Sequence, residues 1–477
     1  MVQALTPVVA VLIGTGFMLA GYGLQSTLLP LRGEVEGFSA LSLGMLGSAY
    51  YIGFVAGCLF GPFVILRSGH IRAFAAMVAI GSAAALAFPL LVAPTSWSLF
   101  RLLFGFCIAC LYIIVESWLN EKATNKTRGQ VMSAYVLVSF GTIMLGQLAV
   151  TLYPIQDFAQ FALASILLSL AAVPIALTTS GQPAPIAVVR FRPFQLYRST
   201  PAAFVGATGS GLILGAIWGF GPVFVTSRGF SPNEGAIFMS LCFVGGALGQ
   251  YPLGRLSDFY DRRLVMVGAM VASTIFAVIL GQTASPNWYV LGGLGFAFGA
   301  MAFPGYSLAA AHAFDLTQQE DMVETSATIL LLYGVGSIIG PLIAAVVMQI
   351  AGTGGLFIYC AAIQLLLAAF IALRISLRAA LKTEEKSDFD IYSTATVGGA
   401  ITPEAVDESH PQMETPEPAE TVESEFDHLV ETAGFPVPDA ETDYDDILVP
   451  ATDEDPIDAF GDEVNQSGRS APDKGRH

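Results

Sequence analysis

Apolar runs of about 20 residues or more follow one another along the first 380 positions of this chain, and the short stretches between them hold nearly all the charge found there. A helical run of that length crosses the hydrocarbon core of a bilayer and leaves no backbone N–H or C=O group unpaired in lipid. Twelve such runs fall near residues 6–29, 40–66, 73–93, 98–119, 129–152, 158–178, 200–222, 233–254, 264–283, 287–312, 323–349 and 354–376. Charged residues make up 12% of the chain and apolar ones 54%, whereas about a quarter of a soluble domain is charged. The expected fold class is an all-α polytopic membrane protein with 12 transmembrane helices, and nucleic acid is not among its expected partners.

The net charge of -17 comes from one end of the chain. Up to Lys382 there are 17 Lys and Arg against 12 Asp and Glu; from Thr383 onward there are 4 against 26. That end is rich in Pro, Ser and Thr and has no sustained apolar period, so residues 383–477 read as a disordered acidic cytoplasmic tail. Phe435-Pro436-Val437 and Ile447-Leu448-Val449 are short apolar clusters on which a protein partner could dock. Cys58, Cys107, Cys110, Cys242 and Cys360 all lie inside apolar runs, which favours small buried residues over a disulfide framework. Cys107 and Cys110 have the spacing of a redox or metal pair, but no second pair accompanies them and no metal site is expected. The first Lys or Arg is Arg32, so the first run reads as a retained span and not a cleaved signal.

Lys and Arg in the short loops set the orientation. One side collects Arg67, Arg72, Lys122, Lys126, Arg128, Arg190, Arg192, Arg198, Arg255, Arg262, Arg263, Arg374, Arg378, Lys382 and Lys386; the other has Arg32 and Arg228, with Arg101 near its edge. The basic side is therefore expected in the cytoplasm, with both termini, and the protein in the inner (plasma) membrane. The densest charge cluster, Gly254-Arg255-Leu256-Ser257-Asp258-Phe259-Tyr260-Asp261-Arg262-Arg263, reads as a tight turn on that side. A longer, Pro- and Arg-bearing cytoplasmic connection at 179–199 divides an N-terminal six-helix half (1–178) from a C-terminal one (200–382). An offset of 192 lays Pro62–His70 on Gly254–Arg262; at nearly the same offset Gly105, Ser117 and Gly146 fall on Gly295, Ser307 and Gly340. Weak internal symmetry of this kind is characteristic of secondary transporters.

The twelve spans, the basic central loop and the turn Gly254–Arg263 resemble the major facilitator superfamily, whose pattern G-x-L-a-D-r-x-G-r-r lies in the loops after helices 2 and 8. The second copy follows it with Asp261 where Gly is usual; the first has Pro62 for Gly and Leu66 for Asp, and keeps Arg67, Gly69 and His70. The resemblance covers residues ~5–380. It implies two pseudo-symmetric six-helix bundles, alternating access, and a cytoplasmic gate built from Arg67, Arg72, Gly254, Arg255, Asp258, Arg262 and Arg263. Helices 1, 4, 7 and 10 are implied to line a central cavity. Polar and aromatic residues there and on helix 5 are then the candidate substrate or proton pathway: Tyr22, Gln25, Arg101, Tyr112, Gln147, Trp218 and Tyr306.

Arg101 and the residues after it, through Gly105 to Ala109, are similar to the family's R-x-x-x-G-x-x-x-A pattern, whose arginine faces the cavity and helps couple proton movement. Its place about one turn inside the span leaves snorkelling to the surface as the other reading. Glu116 lies ~22 Å further along the same helix, too far to pair with Arg101. It either forms an ion pair with Arg67, Arg72 or Arg128 at the gate, which the supply of cations favours, or carries a proton. Glu116-Ser117-Trp118-Leu119-Asn120 looks like a poorly characterised bacterial branch of the superfamily. Gly336, Gly340 and Pro341 are similar to the G-x-x-x-G-P element of proton-coupled exporters, but on helix 11 they read first as close packing with a bend.

These readings converge on a monomeric secondary transporter of a small organic solute, proton-coupled or facilitative. The chain has no Gly-Lys dipeptide for a Walker A loop and no G-x-S-x-G, so neither an ATP-driven pump nor an enzyme is expected, and no cofactor beyond a coupling proton. The alternative is a transporter-like sensor or scaffold that signals through the acidic tail.

Overall fold

The structure, a computed structural model, describes residues 8–124, 127–178, 190–283, 287–318 and 321–377, and these are helical apart from their connections. Among the described residues, twelve helices are long and apolar enough to cross a membrane: α1 (Val9–Val35), α2 (Ala40–Ser68), α3 (His70–Ala87), α4 (Pro94–Lys122), α5 (Arg128–Leu152), α6 (Phe158–Ala176), α7 (Pro201–Thr226), α8 (Pro232–Phe259), α9 (Arg262–Gln282), α10 (Trp288–Phe314), α11 (Met322–Ala351) and α12 (Gly355–Leu377). The acidic tail and positions 179–189 of the central connection lie outside the described residues, as does Lys126.

Helix ends are set by local chemistry. α8 opens with a capping box, in which Ser231 and Glu234 bind each other's backbone N–H, followed by Pro232 in the first turn. Gly69 joins α2 to α3 as a single residue at φ +79°, a conformation that favours glycine. The expected turn at Gly254–Arg263 is corrected here. α8 remains helical through Gly254, Arg255 and Asp258 to Phe259, so Tyr260 and Asp261 alone connect it to α9. Polar side chains in the last turns of a span do not end its hydrogen-bond ladder when they can reach the interface or a partner. α1 likewise runs on to Val35, and its Arg32 binds Glu36 at 2.6 Å. α10 is interrupted at Phe303 and Pro304, between Trp288–Ala302 and Gly305–Phe314; proline lacks the N–H that would continue the ladder.

The same helix pairs are in close contact in each half. α2 lies on α4 and α1 on α5; correspondingly α8 lies on α10 and α7 on α11. Glycines bring these backbones into contact, because a Cβ at Gly105, Gly146, Gly299 or Gly340 would overlap the carbonyl oxygen of Tyr50, Ala20, Cys242 or Leu212. Gly336 meets Thr208 of α7 in the same way, so the Gly336–Gly340 element is a packing surface, and α11 runs unbroken through Pro341.

The halves meet through α1 with α7, α2 with α11 and α5 with α8. Polar contacts between them lie toward the face opposite the basic one. The Thr226 hydroxyl donates to Glu34 at 2.5 Å, Ser48 to the Ile338 carbonyl at 2.6 Å, and Ser240 to Gln147 Oε1 at 3.4 Å. Glu34 and Thr226, like Ser48 and Ser240, are 192 positions apart. The contacts that close this end therefore follow the internal repeat.

Candidate functional site

A cavity of about 80 Å³ lies between the halves. Aromatic rings dominate its lining: Tyr22, Tyr50, Tyr51 and Tyr112 from the first half, Trp218, Phe243 and Tyr333 from the second. The rings continue across the boundary, with Tyr22 and Trp218 centroids 6.3 Å apart and Phe140 and Phe243 5.0 Å apart. Polar lining comes from Gln250 and Ser307, joined by a 2.7 Å hydrogen bond from the Gln250 amide. Ser307 lies in the second segment of α10, three residues after Pro304, and lines the cavity.

Arg101 does not snorkel. It is 8% exposed and its guanidinium carbon lies 4.6 Å from the centre of the Tyr50 ring. It lines a small recess with Leu29, Pro30, Leu43, Leu46, Gly47 and Gly219, and Trp218 lines both this recess and the main cavity. No carboxylate pairs with it among the described residues, and its Nε and Nη1 are buried without a hydrogen-bond partner. A guanidinium buried inside a span is costly, and a cation–π contact offsets roughly 0.5–2 kcal/mol of that.

The ion pair expected for Glu116 is absent: among the described residues, neither Arg67, Arg72 nor Arg128 reaches it. Glu116 is 2% exposed, and the Tyr135 hydroxyl of α5 donates to its Oε1 at 3.1 Å. Arg67 and Arg72 are exposed. α4 turns Glu116 inward, away from the surface where the cations lie.

The other expected site residues divide. Tyr22, Tyr112 and Trp218 line the cavity. Tyr306 is buried against Tyr333, with centroids 5.2 Å apart, one residue before the lining Ser307. Gln147 takes part in the α5–α8 contact, and Gln25 is fully buried with both amide atoms unpartnered. The lining by α2, α8 and α11 was not anticipated, and α5 contributes Phe140 and Ile143 in place of the expected Gln147. Tyr50-Tyr51 and Gln250, unusual inside apolar runs, were the signals that could have found it.

At the basic face, Arg262 is 1% exposed and binds Asp315, at the end of α10, in a fork: Nε to Oδ2 at 2.7 Å and Nη2 to Oδ1 at 3.2 Å. Its Nη1 donates to Ser257 at 3.0 Å and lies 3.6 Å from Asp258. This network ties α8, α9 and α10 together beside the buried Gly254, while Arg255 stands over the Phe259 ring. Asp261 caps α9 by accepting from the Arg263 N–H at 2.9 Å, and it also pairs with the Arg263 side chain at 2.8 Å. Burial alone would raise the Asp261 carboxyl, but the hydrogen bonds from Arg263 outweigh it and hold the group below the usual carboxylate range. A folded value below the unfolded one gives stability that is full above the unfolded pKa and lost as pH falls through the folded pKa. Asp261→Ala should therefore cost about 1 kcal/mol at neutral pH and progressively less in acid, as read from thermal unfolding across that range.

The family model for the Major Facilitator Superfamily matches residues 203–406, and that for Sugar (and other) transporter matches residues 14–181. An uncharacterized MFS-type transporter, YcaD of Escherichia fergusonii, is 28% identical over 379 residues, covering 79% of this chain and 97% of its own. Among solved structures, the nucleoside transporter NupG aligns at a TM-score of 0.65 with 16% identity, over 78% of this chain and 100% of its own. A D-xylose–proton symporter aligns at 0.62 with 14% identity, over 81% and 99%. These two likenesses carry the fold alone. With one family model on each half, twelve spans and the paired packing of the halves, the chain belongs to the major facilitator superfamily.

Proposed function

We propose that this protein is a secondary transporter that moves a small organic solute across the inner membrane by alternating access, coupled to a proton at Glu116. One observation carries the reading: a ring-lined cavity sits between two six-helix halves and draws its lining from both. Separation of the halves where Glu34 meets Thr226 would open it to that side. Reclosure there and parting at the basic face would release the solute to the other. Positive-inside bias puts the basic face and both termini in the cytoplasm, and the chain works as a monomer in the bilayer.

Proton coupling is supported by Glu116, a buried carboxyl whose hydrogen-bond donor is a neutral hydroxyl. A carboxyl locked to an arginine is held ionised, whereas one met by a neutral hydroxyl can take up a proton without leaving a buried cation unpaired.

The test is solute-evoked proton flux in proteoliposomes with a trapped pH dye, run with pooled metabolites and a tracer assay alongside. One pool is expected to evoke flux in the unmodified protein. Glu116→Gln should lose the proton movement and keep solute exchange. Silence in both assays from folded protein would overturn transport, and undiminished proton flux in Glu116→Gln would overturn the role of Glu116.

A further inference from the structure

We infer that the solute is an organic monoanion, its carboxylate bound by Arg101 and its flat apolar body packed among the aromatic rings of the central cavity. The inference rests on the transport reading and names the substrate class for that site. Arg101 is nine-tenths buried, and among the described residues no acid neutralises it. The buried carboxylates are engaged elsewhere, Asp315 with Arg262 and Glu116 with Tyr135, and the half-buried Glu34 meets Thr226 at the outer end. Two guanidinium nitrogens, Nε and Nη1, have no acceptor. Each of these donors can be met by a carboxylate oxygen, and a guanidinium in an apolar setting favours an anion as its partner.

The rings define the rest of the ligand. Trp218 borders both the Arg101 recess and the main cavity, so a molecule with its anionic end in the recess passes the indole and lies between Tyr22, Tyr50 and Phe243. Aromatic walls favour a flat unsaturated body through offset and edge contacts. About 80 Å³ of space favours a compact one. A second negative charge would find no cation in the lining, and a cationic head, which aromatic cages otherwise favour, would be repelled by Arg101.

The full-length protein in nanodiscs should bind radiolabelled benzoate saturably, in preference to benzyl alcohol and benzyltrimethylammonium, its neutral and cationic counterparts. Arg101→Ala should weaken benzoate about tenfold or more, Arg101→Lys less, and each should weaken benzyl alcohol by a smaller factor than benzoate. Trp218→Ala should weaken all three. Size-exclusion and thermal unfolding profiles confirm that each variant is folded, and Arg101→Gln serves if the alanine variant is not. Benzoate binding that is absent, unaltered by loss of Arg101, or weaker than that of the cation overturns the proposal. Proton or tracer flux evoked only by neutral or cationic solutes would do the same and leave the transport reading intact; silence toward every solute would remove the transport reading itself.

Discussion

Asp315→Ala is expected to destabilise the C-terminal half by about 3–5 kcal/mol, the range seen when one member of a buried ion pair is removed and the other is left. Arg262 and Asp315 are each 1% exposed and joined by two hydrogen bonds, so neither can turn to solvent when its partner goes. Ser257 and Asp258, the latter at 3.6 Å, would be left with the charge. The double variant Arg262→Met with Asp315→Leu should recover most of the loss, since apolar groups of similar volume often replace a buried pair at little cost. Thermal unfolding of the two variants in detergent and in nanodiscs gives the comparison. If Asp315→Ala melts with the unmodified protein, Asp258 and Ser257 suffice for Arg262 and the fork contributes little. Function should follow stability here. Asp315 ends the α10 segment that begins after the Pro304 break and presents Ser307 to the cavity, so freeing that end loosens one wall of the site.

The spans were legible because a run without charge and ~20 residues long has few alternatives, and the repeat because Gly254–Arg262 and Pro62–His70 keep their spacing. Contacts between distant segments were not legible. Asp258 and Arg262 are one helical turn apart in number, but Asp315 lies 53 positions beyond Arg262, and no local pattern marks the end of α10 as its partner. Glu116 was misjudged for a related reason. Counting nearby cations favoured an ion pair, whereas its direction on α4 decides the partner, and that direction meets Tyr135 of α5. For Arg101 a span boundary known only to a few residues left two readings open, and its burial over the Tyr50 ring removes the snorkelling one. Resemblance directed attention to helices 1, 4, 7 and 10 and so away from Tyr50, Tyr51 and Tyr333, which supply much of the lining.

Gly105→Ala should reduce solute-evoked flux tenfold or more, on the order of the loss that a misplacement of about 1 Å brings to a positioned site, while costing roughly 1–3 kcal/mol of stability through overpacking. A Cβ at Gly105 would overlap the Tyr50 carbonyl and lie 3.1 Å from the Phe54 backbone nitrogen, and one at Gly53 would overlap the Leu102 carbonyl. These atoms are helix backbone on both sides, so no rotamer change relieves them and α2 and α4 must separate. The same turns carry the site: Arg101 precedes Leu102 on α4, and Tyr50, whose ring lies under the guanidinium, is the residue whose carbonyl is struck. Separation would therefore draw Tyr50 from Arg101 and widen the recess that Trp218 borders. Gly141→Ala is the matched control, because a Cβ there meets nothing within 4 Å and alanine is the better helix former; it should leave flux unchanged. Flux and melting temperature measured on both variants separate the two effects. A Gly105→Ala protein that transports at the unmodified rate would show that the site tolerates a shift between α2 and α4, and that the contact of their backbones serves assembly of the half and not placement of Arg101.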